Sequence, residues 1–256
     1  MSELVTSTQT GGVLTVTLRR PQKRNALNLP LIEELSATFT RWSEREDIVV
    51  AVLTGEGDKA FASGGDVTEL ATLREEAETL AFAEATRVAL DTIRRFPAPV
   101  VGAVNGDALG GGAELALACD LRFAASHARI GFLQSKLAIS TAWGGGTDLL
   151  RLVGSARALM LLCTAELLSA QQALQLGLFD TVAPADEDFG TALASFVARL
   201  AGPPPQVTRA FKSLASAHRA GAAAAEMARI ESRAFTQTWI HADHWAAVET
   251  VFNRRG

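Results

Sequence analysis

The chain has 256 residues, of which 48% are hydrophobic and 20% charged, with a formal net charge of -4. This balance describes a globular protein with a sizeable core and excludes a disordered chain. It leaves no electrostatic footprint for nucleic acid, and no Lys/Arg stripe contradicts that.

The first residues, MSELVTSTQTGGVLTV, lack a basic segment followed by an apolar one, and no run reaches the about 18 apolar residues of a membrane span. Cys119 and Cys163 are too few for a disulfide framework. Their apolar neighbours predict buried free thiols in a reducing compartment. The expectation is a soluble, cytoplasmic protein without nucleic-acid or membrane partners.

Residues 13–18, VLTVTL, alternate with β-branched residues behind Gly11-Gly12, which predicts a strand after a turn. Asn28 is placed to cap a helix over LPLIEELSATFTRW, with Pro30 tolerated in its first turn. IVVAVLTG, 48–55, is nearly all apolar and predicts a strand covered on both faces. A helical region follows from about Val67 to Arg95, irregular around 71–77. PVVGAVNG, 99–106, is a second covered strand, Ala113 to Cys119 a short buried helix, and LRFAAS, 121–126, a further strand. Repetition of strand, glycine loop and helix predicts an α/β spiral. From GTDLLRLVG onward the pattern is helical, broken at Gly177 and again by GPPPQ at 202–206. This predicts a core over 1–200 and a helical region over 201–256.

Two glycine junctions follow apolar strands and precede helical runs: Ala62-Ser63-Gly64-Gly65-Asp66 and Gly110-Gly111-Gly112. Such junctions suit tight turns, and they equally let a ligand approach unpaired amides at a helix start. Two N–H groups aimed at one carbonyl oxygen would form an oxyanion hole. The spacings GxGxxG and GxxxxGK[ST] are absent, so NAD and ATP are not expected. Glu114 enters the helix behind the second junction, where amide dipoles favour an ionised carboxylate. Asp66 is a candidate cap for the helix after its own junction, and Asp107 and Asp120 read as turn or helix-end residues. His127, His218, His241 and His244 have no metal-ligand spacing, and no GxSxG elbow exists. TAWGGGT, 141–147, matches neither phosphate motif; Trp143 suits a pocket wall and a packing role alike.

RRPQKRNALN, KAFASGGDV, PVVGAVNGDALGGGAELALACDLRFAA and LLSAQQALQLGLFDTVAP together resemble the crotonase (enoyl-CoA hydratase/isomerase) superfamily, from about Val13 to Pro184 and more weakly beyond. The resemblance implies a ββα spiral core with a C-terminal helical region, acting on an acyl-CoA thioester. No prosthetic group is implied, since coenzyme A is part of the substrate. The amides of Gly65 and Gly111 would bind the thioester carbonyl, while Arg24, Ala26 and Ser63 would lie along the adenine and pantetheine. Phe211 and Lys212 fall in the helical region that in this family reaches a neighbouring subunit's ligand, and a homotrimer or dimer of trimers is implied.

One departure matters. Typical hydratases carry a second glutamate twenty residues after the first, whereas twenty residues beyond Glu114 stands Gln134, and no carboxylate lies between Asp120 and Asp148. An amide orients water but does not shuttle a proton. Enoyl-CoA hydration is the leading expectation because most members of the family carry it, and decarboxylation of a methylmalonyl- or ethylmalonyl-type thioester, which needs no base at the second position, is its rival. AISTAWGGGT, Trp143 above all, resembles such decarboxylases. A catalytically weak CoA-thioester binder is the third expectation.

Overall fold

The computed structural model describes residues 3–253. In chain order its elements are β1 (Val5–Thr10), β2 (Val13–Leu18), α1 (Leu29–Ser43), β3 (Val50–Gly55), β4 (Ala60–Ala62), α2 (Val67–Leu70), α3 (Glu76–Arg94), β5 (Val100–Val104), β6 (Asp107–Leu109), α4 (Gly111–Ala118), β7 (Leu121–Ala124) and β8 (Arg129–Gly131). There follow α5 (Gly145–Val153), α6 (Ser155–Thr164), β9 (Leu168–Ser169), α7 (Ala170–Gln175), β10 (Thr181–Val182), α8 (Phe189–Leu200), α9 (Pro205–Arg219), α10 (Ala224–Trp239) and α11 (Ala242–Asn253).

The α/β spiral expected from the sequence is what forms. Strands β3, β5 and β7 enter a six-stranded sheet of order β1-β2-β3-β5-β7-β10, while the strands after them, β4, β6 and β8, build a four-stranded sheet of order β4-β6-β8-β9. Only β1 with β2 and β8 with β9 run antiparallel. Successive residues of β3 explain its unbroken apolar run: Ala51 and Leu53 enter the core shared with the small sheet, and Val50 and Val52 join Val101, Ala103 and Phe123 in a second core under Phe189 and Phe196 of α8. Every residue of α4 is buried, so its apolar sequence reflects burial on all sides.

Several elements lay outside the sequence reading. The polar β1 offered no apolar alternation, and β4, β6, β8 and β9, two or three residues each, are too short for a period to show. Cys163 is a correction: it is exposed, whereas Cys119 is buried as expected. Helix α6 buries only Ala158 and Leu161, leaving its apolar Leu159 and Met160 outside with Cys163.

Asn28 caps α1 as expected, its side chain accepting from the Leu31 N–H at 3.2 Å, and its amide group donates to Glu69 at 2.9 Å. Replacing Asn28 by Ala is expected to destabilise the fold by about 1 kcal/mol in urea unfolding. An unchanged midpoint would remove the cap from the list of contributors.

Candidate active site

The small parallel sheet assembles the site. Ala62 pairs with Ala108 and Leu109 with Gly131, so β4, β6 and β8 end side by side. Beyond those ends come Gly65, Gly111 and Gln134 in turn. Ligands of parallel sheets gather at such carboxyl ends.

Gly64, at φ +103, turns the chain after β4, and a Cβ on it would lie 3.5 Å from the Gly111 nitrogen. The two junctions are therefore neighbours. Gly110, at φ +53, makes the second turn and donates its own N–H to Gly131 at 2.8 Å, which leaves Gly111 as the first residue of α4. Among the described residues neither the Gly65 nor the Gly111 N–H has a hydrogen-bond partner. The indole of Trp143 lies against both glycines: its Cη2 would be 2.5 Å from a Cβ at Gly111 and 3.5 Å from one at Gly65. At Gly112 the obstacle is backbone, since a Cβ would come within 2.6 Å of the Ala62 carbonyl carbon. Close approach of strand and indole thus demands the glycine run.

The loop before α1 is stitched to the first junction by three backbone hydrogen bonds, from Ser63 to Arg24 at 3.1 Å, from Leu27 to Gly64 at 2.8 Å and from Asp66 to Leu27 at 2.8 Å. Arg24, Ala26, Ser63 and Gly65 are brought together in this way. Arg24 is exposed and bonded to Asp107 at 2.8 Å, beside a cavity also lined by Asp58, Lys59, His127 and Arg129. Asp66 does not cap α2 as expected. Its carboxylate meets the buried Arg20 guanidinium at 3.0 Å, an ionic partner that a helix N–H does not match.

Glu114 is the fourth residue of α4, not the first or second, and is 2% exposed. Its Oε2 accepts from the Trp143 and Gly145 N–H groups, each at 2.9 Å, and its Oε1 accepts from Gln134 Nε2 at 3.0 Å. Helix dipoles predicted a carboxylate comfortably ionised, but burial pushes the Glu114 carboxyl above its ordinary range, and the three donors only oppose that rise. Gln134, in a 3-10 turn just after β8, is itself buried, and its Oε1 has no partner. A buried, unsatisfied acceptor beside a carboxylate awaits a donor.

Phe211 and Lys212 part company. Phe211 is exposed on α9, whereas the buried Lys212 ammonium reaches inward to Asp120 at 2.5 Å and to the Arg94 carbonyl at 3.0 Å. Lys212 thus ties the helical region to the core of its own chain. Asp120 also accepts from the Val100 N–H at 2.8 Å. Sequence reasoning missed Arg94, whose guanidinium donates to the Trp143 carbonyl at 3.0 Å and to Asp148 at 3.0 Å. An arginine pair at a helix end, Arg94-Arg95, carries no signal of such a partner.

Among the described residues no group of three or more His, Cys, Asp and Glu could hold a metal ion, and no helix is long and apolar enough to cross a membrane.

The chain is similar to known proteins along most of its length. Over 206 residues, 78% of this chain and 77% of the relative, the sequence is 41% identical to a 2,3-dehydroadipyl-CoA hydratase of Escherichia coli. It is 36% identical over 185 residues to a short-chain-enoyl-CoA hydratase of Clostridium acetobutylicum, covering 71% and 69% of the two chains. The crystal structure of an enoyl-CoA hydratase from Bacillus anthracis superposes with a TM-score of 0.91 at 31% identity, over 98% of this chain and 96% of that one. The enoyl-CoA hydratase/isomerase family model matches residues 8–253, so the paired strand ends and their glycines are those of a member of that family.

Proposed function

We propose that the protein is an acyl-CoA lyase of the enoyl-CoA hydratase type, holding a thioester enolate between the amides of Gly65 and Gly111. The observation that carries this reading is the pair of unpartnered N–H groups under one indole, next to the buried Glu114–Gln134 pair. Preorganised donors of this kind stabilise charge as it develops, without reorganisation.

A water between the two side chains would donate one hydrogen to Glu114 and the other to the unsatisfied Gln134 Oε1, leaving an oxygen lone pair for the β-carbon. As the C–O bond forms, the electrons of the C=C bond move onto the thioester oxygen and are held by the two amides. Glu114 takes the proton of the water and returns it to the α-carbon as the enolate collapses. Its raised proton affinity suits both halves of that transfer.

A second reading keeps the same hole. Gln134 occupies the place of a second acid, so Glu114 is the one titratable member of the pair, and decarboxylation of a malonyl-type thioester needs no base. There the C–C bond to the carboxylate breaks, carbon dioxide leaves, and its electrons become the enolate that protonated Glu114 quenches. Coenzyme A is bound as part of the substrate, and its phosphates find their nearest cations in Arg24, Lys59 and Arg129, which line a cavity shared with Asp58 and Asp107. No prosthetic group enters either reading. The free thiols of Cys119 and Cys163 are in keeping with a cytoplasmic location.

Crotonyl-CoA, methylmalonyl-CoA and ethylmalonyl-CoA, followed separately for water addition and carbon dioxide release, discriminate the readings. The expected result is hydration of crotonyl-CoA; carbon dioxide release alone selects the second reading, and no product from any of them leaves only a thioester binder. Glu114→Gln is expected to lower hydration by about 10²–10⁴-fold. Hydration should also fall as pH drops through the raised Glu114 pKa, because the ionised form accepts the proton of water; a flat acid limb would remove Glu114 as the base.

Removing the hole is not clean in one step, because any side chain at Gly111 collides with Trp143. In a Trp143→Ala background, Gly111→Ala keeps the N–H and Gly111→Pro deletes it at a helix position that tolerates proline. Turnover is expected to be about 10²–10³-fold lower for the proline variant. Equal rates would sink the oxyanion assignment.

The helical region, residues 201–256, is proposed to join copies into a trimer or a pair of trimers. In its support, Phe211, Phe235, Trp239, Ile240, Trp245 and Phe252 are exposed, and Phe235 and Trp239 stack with centroids 5.3 Å apart. Light scattering is expected to read three or six chains; the mass of one chain would overturn this.

A further inference from the structure

The run TAWGGGT belongs to neither phosphate motif, yet its geometry is tightly specified. Trp143 is 7% exposed, with its indole across Gly65 and Gly111 and Phe82 of α3 edge-on behind it at 6.0 Å. Leu70 of α2 also lies against Gly65, where a Cβ would be 2.7 Å from its Cδ1. The peptide after the indole is gripped from two directions. Glu114 takes the Trp143 and Gly145 N–H groups, and Arg94 takes the Trp143 carbonyl.

The glycines behind Trp143 are there for this grip. Gly144 sits at φ +93 with a Cβ position 2.8 Å from the Arg94 guanidinium, and a Cβ at Gly145 would lie 2.5 Å from that of Glu114. Arg94 is held in turn by Asp148, which also binds Arg219 of α9 at 2.8 Å. Arg219 donates to the carbonyls of Leu117 and Ala118 at the end of α4. The indole is therefore wedged by a buried ionic cluster and does not hang from a free loop.

Because the indole lies against both Gly65 and Gly111, an acyl chain whose carbonyl oxygen sat between their amides would start within reach of it. We propose that Trp143, held by Arg94 and Asp148, is the wall that closes the acyl end of the pocket, so that the substrate class is short-chain acyl-CoA thioesters. Trp143 is the specificity-determining residue, and Arg94 and Asp148 are positioning residues that act through it. The inference rests on the reading of this site as an acyl-CoA site.

Binding of unreactive saturated thioesters tests the wall without calling on turnover. Butyryl-CoA and octanoyl-CoA are titrated calorimetrically against the full-length wild type, Trp143→Ala, Trp143→Leu, Arg94→Met and Arg94→Lys. In an open apolar pocket each added methylene strengthens binding about fourfold. The wild type is expected to reverse that trend and bind octanoyl-CoA at least about tenfold more weakly than butyryl-CoA. Trp143→Ala, or the milder Trp143→Leu where the alanine variant does not fold, is expected to restore the preference for the longer chain. Arg94→Met should relax the discrimination and Arg94→Lys recover part of it, a difference that a loss of general stability would not produce. Wild type binding both chains alike, or Trp143 variants with unchanged selectivity, would remove the wall and leave the proposed function standing. Failure of the wild type to bind either thioester would remove both.

Discussion

Parallel pairing of β4, β6 and β8 is the constraint on which the site depends. These three strands have only three residues each, with Phe61, Ala62, Ala108 and Ile130 set in the core, and their register makes the chain turn at Gly64, Gly110 and the segment before Gln134 along one edge. An N–H just beyond a strand end, at the start of a helix, has no partner of its own. Two such groups lie close together at this edge, and under the proposed reading a bound carbonyl would accept from both.

Glu114 illustrates opposing effects within one side chain. Burial raises its proton affinity, and donors from Trp143, Gly145 and Gln134 pull it back down. None of those donors is charged, so burial prevails and no ion pair holds the carboxyl as an anion. Asp120, Asp148 and Asp66, all engaged by cations, hold arginine and lysine side chains in place. The proposed division between a working carboxyl and structural ones follows from the kind of partner each has.

Helix α9 reaches the site through the charged residues that hold its loops. Lys212 binds Asp120 at the end of α4, and Arg219 meets Asp148, which holds Arg94 against the loop of Trp143. Buried ion pairs are weak evidence for stability, since desolvation offsets much of their attraction, but they fix geometry once formed. A helical region serving only to join subunits would have no need of a cation in that place.

Local patterns carried much of the architecture. The apolar runs of β3 and β5, the Asn28 cap of α1 and the buried helix behind three glycines are all written in adjacent residues, since burial on both faces and a first-turn cap act over short sequence distances. The glycine junctions and Glu114 were visible for the same reason. The partners were not: Trp143 over Gly65 and Gly111, Gln134 on Glu114, Arg94 on the Trp143 carbonyl and Lys212 on Asp120 join positions 20 to 92 residues apart. No periodicity encodes such pairs, and strands as short as β4 and β8 leave no repeat to read. Sequence alone determined the longer strands and helices and which backbone stretches are bare; tertiary structure decided that the bare stretches meet beneath an indole, because only the register of a three-residue parallel sheet brings their strand ends to one edge.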